Sequence, residues 1–347
     1  MPIRVMIVDD SAFMRKVITD VLRTDNEIEV IYTAKDGKDA LEKIKQLSPD
    51  VITLDVEMPV MNGLDCLQHI MNYKPIPVIM VSGLTSEGAD ATIKALELGA
   101  VDFITKPSNI FEIGSDKFKK EITEKVKVAK NTRVHPHTYP AVYNKRTDIV
   151  HSSNLKKIVA IGTSTGGPRA LQQIIPFIPG NIPAAFIVVQ HMPPGFTKSF
   201  AMRLDGMSEL TVKEAEDGDK IEAGCVYIAP GDYHIVFDKE TRSNDLIIRL
   251  NKSDPVGGHR PSVNVMMNSL SDTGLRNIIG VIMTGMGSDG CEGLKSLKEI
   301  NKAFVIAQDE KSCVVYGMPK AAVQAGIVDK IVSLNEISNE IIKLVGV

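Results

Sequence analysis

The 347-residue sequence predicts an α/β protein of two domains, each built on a mainly parallel sheet. Three observations carry that prediction. Short apolar runs rich in β-branched residues alternate with amphipathic stretches, the pattern of strands joined through crossover helices. The alternation stops over 131–154, a polar, proline-containing stretch with no sustained period, and then resumes with different motifs. The length also exceeds one typical core. The expected division is a domain at 1–130, a linker at 131–154 and a domain at 155–347.

In the first half the strands are "IRVMIV", "IEVIYT", "VITL", "PVIMV" and "VDFI". Their nearly all-apolar composition fits a five-stranded parallel sheet covered on both faces. Helical patterns such as "SAFMRKVITDVLR" and "DALEKIKQL" lie between them. The last helix, "SDKFKKEITEKVKVAK", sets Phe118, Ile122 and Val126 at i, i+4 and i+8, one apolar stripe. In the second half "KIVAI", "AAFIVVQ", "CVYIA", "NIIGVIMT" and "KAFVIAQ" are the strands of a doubly wound, mainly parallel sheet. "YHIVF" and "LIIRL" flank "DKETRSND" and are expected as an antiparallel hairpin inserted in that sheet.

Bulk properties exclude several classes. The formal net charge is -3, against the basic face expected of a nucleic-acid binder. The cysteines, Cys66, Cys225, Cys291 and Cys313, are scattered without a Cys-x-x-Cys pair. That argues against a disulfide framework or zinc site and fits a cytoplasmic protein. The start, "MPIRVMIVDD", has too short an apolar run for a signal peptide, and no stretch suits membrane insertion.

Functional residues of parallel α/β sheets gather beyond the carboxyl ends of strands. In the first half those positions hold Asp9 and Asp10, Asp55, Ser82, and Lys106 before Pro107. Converging carboxylates repel unless a cation sits among them, and Mg²⁺ suits an all-oxygen cluster. Asp55 is then a candidate phosphoryl acceptor, since a carboxylate can attack phosphorus. Singly, each residue has a plainer role: Asp10 or Ser11 as a helix cap, Lys106-Pro107 as a turn.

In the second half "GTSTG" places Ser164 after a strand in a G-x-S-x-G pattern, which suits a nucleophile on a sharp turn. A phosphate-binding loop would need a Lys-Ser or Lys-Thr that is absent, and a dinucleotide fingerprint fails in spacing. A serine hydroxyl needs a base. His191 ends the next strand in "VVQHMPP", and His259 in "GGHRPSVN" is the other candidate. His135, His137 and His151 fall in the linker, His69 on a helix and His234 in the hairpin. Asp289, in "VIMTGMGSDG", could orient the histidine, cap the helix "GCEGLKSLKEI", or both.

These motifs carry two resemblances. "VDDS", "LDVEMPVMNGLD", "VSG" and "DFITKP" resemble a response-regulator receiver domain. The resemblance implies Asp9 and Asp10 as an acidic metal-binding pair, Asp55 as the phosphorylated residue, and Glu57 as a backbone carbonyl ligand of Mg²⁺. It implies Ser82 and Lys106 as phosphoryl contacts and Phe103 as an aromatic switch; Phe103 also reads as a core residue. "GTSTGGP", "VVQHMPPGFT", "APGDYH", "HRPSVN", "MTGMGSDG" and "AQDEKSCVVYGMP" resemble the chemotaxis protein-glutamate methylesterase family, CheB. That implies a Ser164–His191–Asp289 triad, with Thr165, Met286 and His259 lining the site and no cofactor for the esterase. It also implies chemoreceptors as substrates, for methylester hydrolysis and glutamine deamidation, and a chemotaxis histidine kinase as phosphodonor. The unphosphorylated receiver is expected to cover the esterase site. One position departs: an aspartate is expected after "HRPSV", and Asn264 removes a charge near the entrance. The rival is a response regulator whose output half is a scaffold or binding module.

Overall fold

The computed structural model describes residues 1–107, 109, 115–132, 155–240 and 245–346. Of the expected linker only 131 and 132 are included; His135, His137 and His151 lie outside the described residues. The chain divides into two compact units, Met1–Tyr139 and Pro140–Val347.

The first unit runs β1 (Ile3–Val8), α1 (Ala12–Leu22), β2 (Ile28–Ala34), α2 (Gly37–Leu47), β3 (Val51–Asp55), α3 (Gly63–Tyr73), β4 (Val78–Ser82), α4 (Ser86–Leu98), β5 (Asp102–Thr105) and α5 (Asp116–Lys130). The strand order is β2-β1-β3-β4-β5, with every pair parallel. Every residue of β3 and β4 is buried, as their apolar composition requires. Ser11, Asp36, Asn62, Thr85 and Ser115 cap the five helices by accepting a backbone N–H of the first turn. The stripe on α5 buries Phe118, Ile122 and Val126 together with Ala129.

The second unit runs β6 (Lys157–Thr163), α6 (Gly167–Ile174), β7 (Ala184–Gln190), α7 (Phe196–Asp205), β8 (Thr211–Glu214), β9 (Cys225–Ile228), β10 (His234–Lys239) and β11 (Leu246–Asn251). It continues through α8 (Val263–Asp272), β12 (Ile278–Ile282), α9 (Cys291–Asn301), β13 (Phe304–Gln308), α10 (Met318–Gln324), β14 (Lys330–Val332) and α11 (Leu334–Val345). Seven strands form an all-parallel sheet in the order β14-β13-β12-β6-β7-β9-β8. The chain leaves β6 toward β7 on one side and reaches β12 on the other. Such a reversal opens a crevice at the carboxyl edge.

Two details differ from expectation. The hairpin β10–β11 is not inserted in the main sheet but forms its own two-stranded sheet. Apart from His234, its strands are buried on one side only, through Ile235, Phe237, Leu246 and Ile248. A one-sided strand suits a cover, and these residues join the core with Met266, Met267 and Leu270 of α8. The main sheet also has edge strands β8 and β14 that the apolar runs did not reveal. Both are short, and β8 buries only Val212. No helix among the described residues is long and apolar enough to cross a membrane.

Candidate functional site

In the first unit, strand ends gather the expected residues around a cleft of about 450 Å³ lined by Asp10, Asp55, Glu57, Ser82, Thr85 and Lys106. Asp55 ends β3 and is 2% exposed. Lys106 Nζ lies 2.6 Å from Asp55 Oδ2 and 3.1 Å from Asp9 Oδ2. Burial pushes the Asp55 carboxyl up to about 6, with Asp9 adding repulsion and Lys106 only partly offsetting both. Carboxylate oxygens of Asp9, Asp10 and Asp55 come within 4.8 Å of one another. Asp9 Oδ2 is buried and, beyond its ion pair with Lys106, has no hydrogen-bond partner among the described residues. An all-oxygen set of three converging carboxylates, met by a single lysine, fits a hard divalent cation.

The neighbours divide. Ser11, not Asp10, caps α1. Ser82 ends β4, but its hydroxyl donates to Gly88 O at 3.1 Å and does not bond to Asp55. The Glu57 N–H donates to Asp55 Oδ1 at 3.4 Å, an addition to its expected carbonyl role. Phe103 is 4% exposed, with the Lys125 ammonium 5.3 Å from its ring centroid.

In the second unit, Ser164 follows β6 and starts the turn into α6. Its N–H donates to Thr284 O, and its own carbonyl accepts from Gly167 N. The left-handed residue of this turn is Gly166, at φ 77°, not Ser164. A side chain at Gly166 would also meet Val314 Cβ at 2.6 Å. His191 follows β7, the strand paired with β6. Its Nδ1 lies 3.2 Å from Ser164 Oγ and its Nε2 lies 2.8 Å from Asp289 Oδ2. The ring nitrogens exchange the places they take in the familiar serine-protease arrangement. Because Asp289 can only accept, Nε2 carries the proton and Nδ1 offers its lone pair to the hydroxyl.

Asp289, 8% exposed, lies beyond β12, the other neighbour of β6. Besides His191, it accepts from Val263 N on Oδ2 and from Ser262 Oγ and Asn264 N on Oδ1, at 2.7–2.9 Å. Burial alone would raise its carboxyl; the bonds from His191, Asn264 and Val263 outweigh that and hold it at about 2. The capping expectation needs correction: Asp289 does not cap α9, whose N-cap is Gly290, but binds the N-terminus of α8. Asn264 needs one too. It is half-buried beside α9, and its Oδ1 accepts from Gly290 N and Gly293 N.

The His259 ring stacks on that of His191, centroids 3.8 Å apart and planes 9° apart. The N–H groups of Thr165 and Met286 have no acceptor among the described residues. His234 is wholly buried, its Nδ1 accepting from Ser262 N. Gln190, which the sequence reading passed over, donates from Nε2 to the carbonyls of both Ser164 and His191 at 3.1 and 3.2 Å. Its place before His191 in "VVQH" was the one available signal.

The fold and these two sites define a two-domain chain, a receiver-type sheet followed by an α/β unit with a hydroxyl, an imidazole and a carboxylate in series. Residues 5–115 match the response regulator receiver domain, and 159–341 match CheB methylesterase. The chain belongs to the CheB methylesterase family. It is 49% identical over 348 residues to the Syntrophomonas wolfei protein-glutamate methylesterase/protein-glutamine glutaminase 1, covering 98% of this chain and 99% of that one. The Thermotoga maritima protein-glutamate methylesterase/protein-glutamine glutaminase is 47% identical, with 99% and 98% covered. The crystal structure of the Thermotoga maritima CheB methylesterase catalytic domain superposes with TM-score 0.52 at 48% identity, over 54% of this chain and 98% of that chain.

Proposed function

We propose that this chain is a cytoplasmic enzyme that hydrolyses glutamate γ-methyl esters on chemoreceptors, and deamidates receptor glutamines, under control of phosphorylation at Asp55. The observation that carries the reading is the series Ser164 Oγ, His191, Asp289, linked at 3.2 and 2.8 Å. Ser164 Oγ attacks the ester carbonyl as its proton passes to His191 Nδ1. Asp289 stays ionised and balances the imidazolium through the Nε2–H bond. The Thr165 and Met286 N–H groups hold the oxyanion; losing one such donor typically costs ~3 kcal/mol of barrier. His191 then protonates the leaving methanol. Water, deprotonated by the same nitrogen, attacks the acyl-serine and releases glutamate. An amide substrate follows the same course and releases ammonia. His259 backs the imidazole and lines the site. No cofactor enters these steps.

In the domain assigned to 1–130, joined by the linker 131–154 to the esterase at 155–347, Asp55 takes the phosphoryl group from a chemotaxis histidine kinase. Asp9, Asp10, Asp55 and the Glu57 carbonyl would hold Mg²⁺, which when bound neutralises phosphoryl charge. Lys106 pairs with the new phosphoryl oxygens, Ser82 turns from Gly88 O toward them, and Phe103 responds as the switch. The receiver restrains the esterase until then. The test is methanol release from methylated receptor with and without a small phosphodonor, alongside labelling by a serine-directed phosphonate. Release that rises with the phosphodonor, and label that vanishes in Ser164→Ala, are expected. Undiminished label in Ser164→Ala removes the mechanism.

A further inference from the structure

We propose that Asn264 is a positioning residue for Asp289, through an exchange of helix caps between α8 and α9. The proposal rests on the esterase reading for its activity arm and on geometry alone for its spectroscopic arm.

Asp289 stands one residue before the N-cap of α9, yet its carboxylate reaches across to α8 and takes the N–H groups of Val263 and Asn264. Asn264, in the first turn of α8, reaches back. Its Oδ1 accepts from Gly290 N and Gly293 N, each at 2.9 Å. Each helix start is thus satisfied by a side chain of the other. The exchange closes a ring around Asp289: its carboxylate holds the Asn264 N–H, and the Asn264 side chain holds the N–H of the residue that follows it. Both the backbone and the side chain of Asp289 are therefore referred to α8, and Oδ2 is left aimed at His191 at 2.8 Å.

The helices are close enough for this to matter. A Cβ on Gly293 would lie 2.6 Å from Met267 Cβ and 3.2 Å from Asn264 Cα. Drift of α9 would carry Asp289 away from the imidazole. The amide is also neutral. A carboxylate at 264 can accept the same two N–H groups but adds a negative charge beside Asp289. The titratable and charged groups facing Asp289 are His191, bonded to it, His259 stacked on His191, His234 behind Ser262, and Arg260, which acts on His234. An added charge among them favours the protonated imidazole.

The experiment compares full-length wild type, Asn264→Leu and Asn264→Asp. It reads kcat and KM for methanol release against pH, and the NMR signal of the proton between His191 and Asp289. Asn264→Leu removes the acceptor, so kcat falls ~10- to 100-fold with KM unchanged, as for a small misplacement of a catalytic group. The bridging-proton signal shifts or disappears. Asn264→Asp restores kcat at the plateau, and its acid limb moves up by about one pH unit. A folded Asn264→Leu with wild-type kcat and an unmoved proton signal overturns the proposal. So does Asn264→Asp with an unshifted acid limb or a kcat no better than Asn264→Leu; that variant decides alone if the leucine variant fails to fold. If wild type releases no methanol, the esterase reading falls, while the proton signal still tests the positioning.

Discussion

Asp55 and Asp289 are both buried aspartates beyond strand ends, and they are treated in opposite ways. Asp55 receives one lysine, one long N–H bond and the repulsion of Asp9, and its carboxyl rises to about 6. Asp289 receives an imidazole, a hydroxyl and two backbone N–H groups, and is held at about 2. Burial is similar, so bonding decides the difference. Each state suits its proposed task. A carboxylate that must attack phosphorus needs an oxygen that is not saturated with donors. A carboxylate that must orient a histidine needs every lone pair occupied, so that it neither turns nor protonates.

The strongest test of that contrast removes the groups Asp289 serves. Ser164→Ala and His191→Ala should each lower kcat ~10⁴-fold or more, and the double variant should lose little beyond either, because such residues act as one unit. Additive losses in methanol release would show that they do not. Next, the same carboxylate-to-amide change should have unlike results at the two sites. Asp289→Asn presents an NH₂ toward Nε2 and favours the tautomer with Nδ1–H facing Ser164, so kcat should fall ~10³- to 10⁴-fold. Asp55→Asn should lose all phosphoryl uptake from a radiolabelled donor and keep basal methanol release. Near-wild-type turnover in a folded Asp289→Asn would reduce that residue to a helix cap.

A chelator should separate the sites by their donors. Asp55, Asp9 and Asp10 offer only oxygens to a cation, whereas the Asp289 lone pairs are already filled by protein N–H and O–H donors. Chelation should abolish phosphoryl uptake and leave basal methanol release unchanged. Loss of both activities would place a metal in the esterase site and remove the proton route through His191.

What was legible in the sequence follows the same division between local and remote. The strands were legible because apolar runs mark buried parallel strands, and Ser164, His191 and Asp55 were legible because they sit at the ends of those strands or one residue past them. The edge strands β8 and β14 were not, because an edge needs little apolar length. Nor was the direction of the Ser82 hydroxyl, which follows the α4 backbone at Gly88. The partners of Asp289 other than His191 lie 25 to 27 residues away in sequence, at the start of another helix. A local rule therefore offered capping of α9 beside the orienting role, and left Asn264 only as a charge removed near the entrance. Side chains exchanged between helices leave no period and no spacing to read.

The smallest expected effect concerns the support behind that exchange. His234 is fully buried, and its Nδ1 accepts the N–H of Ser262, whose hydroxyl in turn donates to Asp289. Its Nε2 faces Asp254 O, so the neutral ring is the one with a donor on Nε2 and an acceptor on Nδ1. Burial lowers its pKa, Arg260 adds to the lowering, and Asp254 O and Asp289 oppose it. The sign for stability follows. The unfolded chain takes up this proton more readily, so the contribution is complete above the ordinary histidine value and is lost as pH falls through the folded one. A protonated Nδ1 cannot accept from Ser262, and a lost hydrogen bond of this kind costs about 1 kcal/mol. Thermal unfolding of wild type and His234→Gln should therefore be compared at about pH 7.5 and about pH 5.5, the range over which histidine changes charge. All other titrating groups are common to both proteins, so the difference isolates His234. Wild type should lose more of its Tm on acidification than the variant does. Asp55 has no such histidine among its partners, and phosphoryl uptake in the His234→Gln chain should match wild type. Equal Tm losses in the two proteins would mean that the ring is held by packing alone, and that Ser262 keeps its place beside Asp289 without help from the hairpin.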